Sequence, residues 1–307
     1  MNTKVLDSVN AAAPRFRRRL MTAQPLGGAR AITLRAVIGH RRALLGAVLT
    51  SIVVLVAVLS LFWTPYDPTA FKSGAPFSSP DRTNPLGTDV YGRDILSRVM
   101  AGGRVSLTVA ACAVAAAASV GTFIGLVTGF VGGILDLLVT RIVDLMLAIP
   151  GLVFALGIVA LLGPSAQSVT IALAIVYTWQ FARVVRSVVI SVRDRSYVEA
   201  ARGLDVGPVT IMRKDVFPSV LPILIVQVTT ALAWGILDEA SLGFLGLGVQ
   251  PPNPSWGSLL IEGRQYLYQA PWLALGAGAV VVMAVIGINF LGDGLREIVD
   301  PRSERTN

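Results

Sequence analysis

The chain has 307 residues, of which 54% are hydrophobic and only 14% charged, against roughly 25% charged in soluble domains. That balance marks an integral membrane protein, and no polar stretch is long enough to fold as a separate soluble domain. A net charge of +8 would suit nucleic acid, but the basic residues gather at the ends of apolar runs, where they act as topology signals, so no nucleic-acid partner is expected. With one cysteine, Cys112, and one histidine, His40, an intrachain disulfide and a His/Cys metal site are both excluded.

Residues 1–42 hold a single acid, Asp7, and the cluster Arg15, Arg17, Arg18 and Arg19. They read as a positively charged cytoplasmic tail, with anionic-lipid binding or a targeting peptide as the alternatives. A bilayer core of about 30 Å needs roughly 20 apolar residues per helix. The segments that qualify are 43–63, 104–130, 141–162, 168–190, 219–245 and 272–292, so an all-α protein of six transmembrane helices is predicted, in contact with membrane lipid. The first span ends at Thr64-Pro65-Tyr66-Asp67-Pro68, which stops a helix and leaves Trp63 and Tyr66 at the interface. Of 26 Lys and Arg residues, 20 fall on one side of these spans and six on the other. The rich side is cytoplasmic, which places both termini and the 190–218 loop there. The domain reading is a basic tail at 1–42, a first span with its extracytoplasmic segment at 43–103, a core at 104–295 and a cytoplasmic tail at 296–307.

Ahead of the second span, Asp89 and Arg93, and Asp94 and Arg98, stand four apart with the acid first. This spacing predicts a short salt-bridged helix leading into the membrane, which serves either as interfacial structure or as a surface for a partner. Within that span Gly121, Gly125 and Gly129 form a smooth stripe, suited to close helix packing. Pro150-Gly151 should kink the third span, as an architectural bend or as part of a pathway. The ionisable residues near membrane depth are Asp144, Asp238, Glu239 and Asp293, joined by the amides of Gln180, Gln227 and Asn289. Pro150, Gln180, Gln227, Glu239 and Asn289 are the pathway candidates. The acids all fall near the ends of spans, where water or a partner can solvate them. No ladder of mid-membrane carboxylates supports an ion-coupled secondary transporter, the rival reading.

The stretch 196–222 is charged and punctuated by Gly and Pro between two spans. Ser196 and Glu199 have capping-box spacing, so a short helix is expected from Ser196. A break follows between Gly203 and Gly207, and Pro208 suits the first turn of a second helix. Glu199 is then either a contact for a partner or only a cap within a connecting loop. The lysines are Lys4, Lys72 and Lys214, and none completes a phosphate-binding loop. Without a nucleophile elbow or His cluster either, the chain shows no catalytic centre, and any ATP must be hydrolysed by another polypeptide.

Glu199-Ala200-Ala201, followed by a bend and the pairs Phe217-Pro218 and Leu221-Pro222, resembles the EAA loop of ABC importer permeases. Three further segments are similar to the dipeptide, oligopeptide and nickel permeases. These are Asn84 to Asp89 with Gly92-Arg93-Asp94 and Leu96-Ser97-Arg98, Glu239 to Gly248 with Pro251-Pro252 and Pro254-Ser255-Trp256-Gly257, and Gly292 to Arg296 with Asp300-Pro301-Arg302. The resemblance covers residues 35 to 302 and points to the second, C-type, permease subunit. It implies a type I importer permease fold in a bacterial inner or plasma membrane, with 196–218 as a coupling loop that docks on a cytoplasmic ATPase. Glu199, Ala200, Ala201 and Arg202 are then the main contacts, with Gly203, Asp205, Gly207 and Arg213 completing the loop. It also implies a homologous second permease, two ATPase subunits or one fused ATPase holding ATP and Mg, an extracytoplasmic binding protein, and no cofactor on this chain. The expected cargo is di- or oligopeptides, with nickel complexes or glutathione-like peptides as alternatives, moved by alternating access. Asp205 stands where the family usually has Gly, so the bend is either shifted or held by an Asx-type turn.

Overall fold

The computed structural model describes residues 40–71 and 74–299; the arginine cluster at 15–19 and the segment 300–302 lie outside them. In chain order the helices are α1 (Arg41–Leu59), α2 (Ile95–Val131), α3 (Gly133–Ala148), α4 (Gly151–Leu162), α5 (Ala166–Arg193), α6 (Ser196–Gly203), α7 (Pro208–Ile211), α8 (Phe217–Phe244), α9 (Trp256–Gln265) and α10 (Pro271–Val299). Among the described residues no strand forms beyond a single bridge between Thr88 and Asp94. Five helical stretches are long and apolar enough to cross a membrane: α1, α2, α5, the continuous stretch Pro208–Phe244 and α10.

The remaining pair, α3 and α4, makes up the sixth only as a broken unit bent by 89°. A kinked helix over 141–162 was the expectation, and the break is sharper than a kink. Pro150 offers no N–H and forces Ile149 into an extended conformation (φ −85°, ψ 129°), which ends the helix outright. Past the break, α4 lies along the outer half of α5, with Ala155 and Val159 in one apolar cluster with Val169, Ala172 and Leu173. Before the break, α3 is tied to α5 by Asp136 to Arg186 and by Asp144 to Arg183, each at 2.8 Å.

The most extensive seam joins α2 to α5. A Cβ on Gly121 would lie 2.5 Å from the Thr178 carbonyl, one on Gly125 2.7 Å from the Ala182 carbonyl, and one on Gly129 2.9 Å from Val189. Only glycine lets the two backbones approach this closely.

Helix α2 starts at Ile95, nine residues ahead of the expected span, because Asp94 is its N-cap. Its carboxylate accepts from the Ser97 amide at 2.8 Å and the Ser97 hydroxyl at 2.6 Å, and its other oxygen accepts from the Asn84 side chain at 2.9 Å. The short helix expected over 89–98 does not form, and the Asp94–Arg98 pair is not made. Arg93 does pair with Asp89, but across a turn. Arg98 instead reaches Asp89 at 2.5 Å and Glu262 of α9 at 2.7 and 2.9 Å. Asp89, Arg93 and Arg98 are all buried, so four charges of opposite sign neutralise one another where α2 meets α9. Outside this network, the Asn84 amide and Thr83 hold the Asp81 carboxyl below the usual carboxylate range.

Removing one partner from such a buried group leaves an uncompensated charge. Asp89→Ala should therefore destabilise the protein by about 3–5 kcal/mol, seen as a lowered thermal midpoint of the purified assembly, whereas Asp89→Leu combined with Arg98→Met should recover much of that loss.

The candidate coupling surface

Helix α5 ends at Arg193, and after two linking residues α6 begins at Ser196. Arg195 occupies the cap position, and no side chain caps the helix. The expected Ser196–Glu199 capping box is therefore absent. Ser196 is already the first helical residue, which puts Glu199 one position too far along to reach back. Glu199 lies exposed in the first turn instead, where a carboxylate suits the helix dipole.

One face of α6 is apolar. Val198 is 0% exposed and packs with Val185, Val189 and Val192 of α5, and with Ile211, Val216 and Val220 from the segment leading into α8. Ala201 and Val206 close the edge of this plug. The opposite face exposes Ser196, Tyr197, Glu199, Ala200 and Arg202. Of the four main contacts expected from sequence, Glu199, Ala200 and Arg202 thus point outward, and Ala201 packs inward. The Arg202 guanidinium also lies over the Phe130 ring of α2 at 5.4 Å.

The turn after α6 settles how Asp205 replaces glycine. Asp205 takes the left-handed conformation, φ 58°, so the bend is not shifted. The Val206 amide donates to the Ala201 carbonyl at 3.2 Å and the Asp205 amide to the Arg202 carbonyl at 3.0 Å. These are the two hydrogen bonds of a Schellman motif, and the contact of Val206 with the apolar plug is its usual hydrophobic companion. Gly203 and Gly207 are exposed but lack the positive φ. Beyond Pro208, α7 runs through a π-helical turn, Met212–Val216, into α8. Pro218 and Pro222, which cannot donate backbone hydrogen bonds, follow directly. Arg213 is exposed on that turn.

Sequence reasoning overlooked the apolar part of this surface. Leu204 is 79% exposed and Val209 70% exposed, with Tyr197 half in solvent. Large apolar side chains in a loop that the charge count sets in water were the available signal. Together with Glu199, Arg202 and Arg213 they make a mixed surface of the kind that binds a protein partner.

The pathway candidates do not converge. Pro150 is exposed at the α3–α4 break, while Gln180, Gln227 and Asn289 are half-buried on α5, α8 and α10. No hydrogen bond or ion pair joins any two of the five candidates among the described residues. Glu239 departs most from expectation. It is 0% exposed rather than solvated, enclosed where α8 meets α2 and α9, and neither carboxylate oxygen has a hydrogen-bond partner among the described residues. The Ser106 and Ser255 hydroxyls lie beside it. Its neighbour Asp238 accepts a 2.5 Å hydrogen bond from the Tyr177 hydroxyl.

Because an L-residue other than glycine is strained at positive φ, Asp205→Gly should firm the turn by about 0.5–1 kcal/mol. Slower hydrogen exchange at the amides of residues 205 and 206 would report it.

Comparison with known proteins bears on this geometry. Residues 121–305 match the family described as binding-protein-dependent transport system inner membrane component. A dipeptide transport system permease protein of Alkalihalophilus pseudofirmus is 39% identical over 263 residues, covering 86% of each chain. One of Haemophilus influenzae is 37% identical over 86% of this chain and 91% of its own. A di/tripeptide transport system permease protein of Pseudomonas aeruginosa is 38% identical over 86% and 89%. With its membrane-spanning helices and its exposed cytoplasmic helix, this chain belongs to the binding-protein-dependent inner-membrane components, the permease subunits of ABC transporters.

Proposed function

We propose that this chain forms one half of the pore of an ATP-driven importer that carries di- or oligopeptides across a bacterial inner membrane. A second, homologous permease supplies the other half, and an extracytoplasmic protein delivers the peptide. Cytoplasmic ATPases, as two subunits or one fused chain, hold the ATP and Mg. The observation that carries the coupling role is α6 itself: a short helix glued by Val198 to the ends of α5 and α8, with Glu199, Ala200 and Arg202 turned to the cytoplasm. The peptide assignment follows the relatives, which are named for dipeptide and di/tripeptide transport.

Docking at α6 is converted into movement through the plug, because a push on the helix bears on α5 and α8 together. Alternating access requires a bundle with two packings whose balance a partner shifts. ATP-driven closure of the ATPases brings the two coupling loops together and opens the pathway outward, and hydrolysis resets it.

The face of α5 that carries Gln180 and Arg183 is our candidate for the pathway side. Arg183 and Asp144 form an ion pair, yet both stay largely exposed on the surface of this chain. Hydrocarbon does not tolerate exposed charge at membrane depth, so this face meets the second permease or water. Nearby, Pro150 lies exposed at the α3–α4 break.

Two experiments test these readings. Glu199→Lys should abolish co-purification of the ATPase and peptide uptake in proteoliposomes while leaving membrane insertion intact; undiminished association removes the coupling role from α6. With Cys112→Ser as background, Gln180→Cys should react with a water-soluble maleimide at a rate that changes when ATP and loaded binding protein are added. Val54→Cys, on the lipid-facing side of α1, should stay unreactive throughout. A Gln180→Cys variant as inert as Val54→Cys overturns the pathway side.

A further inference from the structure

Helices α1 and α10 cross tightly at one end and part at the other. A Cβ on Gly46 would meet the Gly287 carbonyl at 2.7 Å, and one on Gly287 would meet Leu49 at 2.9 Å and the Thr50 amide at 3.0 Å. Gly294 sits against Ala43 in the same way. This crossing lies at the cytoplasmic end of α1. Toward the outer end the helices separate, and a cavity of about 190 Å³ opens between α1, α2, α9 and α10. Its walls include Val53 and Ala57 of α1, Met100 and Gly103 of α2, Trp256 of α9 and Met283 of α10.

The walls are apolar. The one polar group close by, the Trp256 indole N–H, is already donating to the Val99 carbonyl at 3.1 Å. Water needs two to four polar partners to occupy such a site, and an apolar cavity of about 150 Å³ in a soluble protein stays dry and takes up benzene or xenon. A void here would leave its lining without dispersion partners. The cavity is too small for a helix of a second permease, whose diameter with side chains is about 10–12 Å. A peptide would bring backbone polar groups that find no partner. A single methylene chain fits both the size and the chemistry.

Depth and access agree. Ala57 lies two residues before the end of α1 and Met100 five residues after the start of α2, which sets the cavity in the outer leaflet. Val56 and Leu96 at its margin are partly exposed, and the rest of α1 presents Val54, Leu55 and Val58 outward. We propose that one acyl chain of an outer-leaflet phospholipid inserts between α1 and the α2–α10 wall, ending against Trp256. It acts as a wedge that holds α1 in register with the core, which α1 otherwise grips mainly at its glycine crossing. The inference depends only on membrane embedding and not on the cargo.

The test uses the fully assembled importer in vesicles of phosphatidylethanolamine and phosphatidylglycerol. A trace of phosphatidylcholine with a diazirine along one tail serves as the probe. Photolysis and peptide mapping should label Met100 and Met283 several-fold above the plain lipid-facing residues Leu55 and Val282. Met283→Phe, or the milder Ala57→Leu if that variant does not assemble, should fill the cavity. Labelling at Met100 should then fall several-fold while Leu55 and Val282 remain labelled. Equal labelling at cavity and lipid-facing residues, labelling at Met100 that a filling substitution leaves unchanged, or labelling seen in the isolated chain but lost on assembly each overturns the proposal.

Discussion

The approach of α2 to α5 is the constraint on which the rest of the structure depends. Gly121, Gly125 and Gly129 let the α2 backbone lie directly on the α5 backbone, at separations any side chain would block. Where the seam ends, Arg193 of α5 donates to the Gly129 carbonyl at 2.9 Å, and after two linking residues α6 begins. The position of the cytoplasmic helix is therefore set by α5, and that of α5 by the glycine face of α2. Between helices in a membrane there is little hydrophobic driving force, because lipid tails are as apolar as the side chains. Close van der Waals contact has to supply the association, so smoothness at three positions matters more than greasiness over the whole face.

The charges divide into two arrangements with different consequences. On the outer side Asp89, Arg93, Arg98 and Glu262 form a compact group that fastens the start of α2 to α9. The Trp256 backbone amide, donating to the Ser106 hydroxyl at 3.1 Å, reinforces the same junction. Glu239 is enclosed there with only the Ser106 and Ser255 hydroxyls beside it, and burying a carboxylate away from water is costly. On the other side Asp136 and Asp144 link α3 to α5 through Arg186 and Arg183, and the second of these pairs is open to its surroundings. The outer junction is closed on itself, whereas the Arg183–Asp144 pair on the α3–α5 face stays exposed.

The spans, their orientation and the short helix and bend between α5 and α8 were legible in the sequence because each rests on a one-dimensional signal: apolar run length, the placement of Lys and Arg, and local Gly and Pro spacing. What escaped depended on tertiary partners. Asp94 and Arg98 have the spacing of a helical ion pair, but Asn84 and Ser97 take the carboxylate while Glu262, far away in sequence, takes the guanidinium. Ser196 and Glu199 have capping-box spacing, but the helix starts one residue early relative to that register. The bend at Pro150 was visible as a kink, yet its 89° angle comes from a complete break of the helix at Ile149 and Pro150. Glu239 looked like a residue at the end of a span, and only the packing of α9 over it shows that the site is closed.

Asp205 shows how the turn after α6 keeps its shape without glycine at the bend. Turning the chain back after α6 requires a left-handed residue, which glycine supplies most readily. Aspartate is one of the few other residues that visits this region, and here two backbone hydrogen bonds and the burial of Val206 hold it there. The turn carries Leu204 to the tip of the loop, beside the exposed face of α6. What the fold preserves is therefore the direction in which α6 presents its outer face, because the plug around Val198 positions the helix and the turn only has to close. A charged side chain at the bend leaves that geometry intact and adds a negative group to the surface a partner would meet.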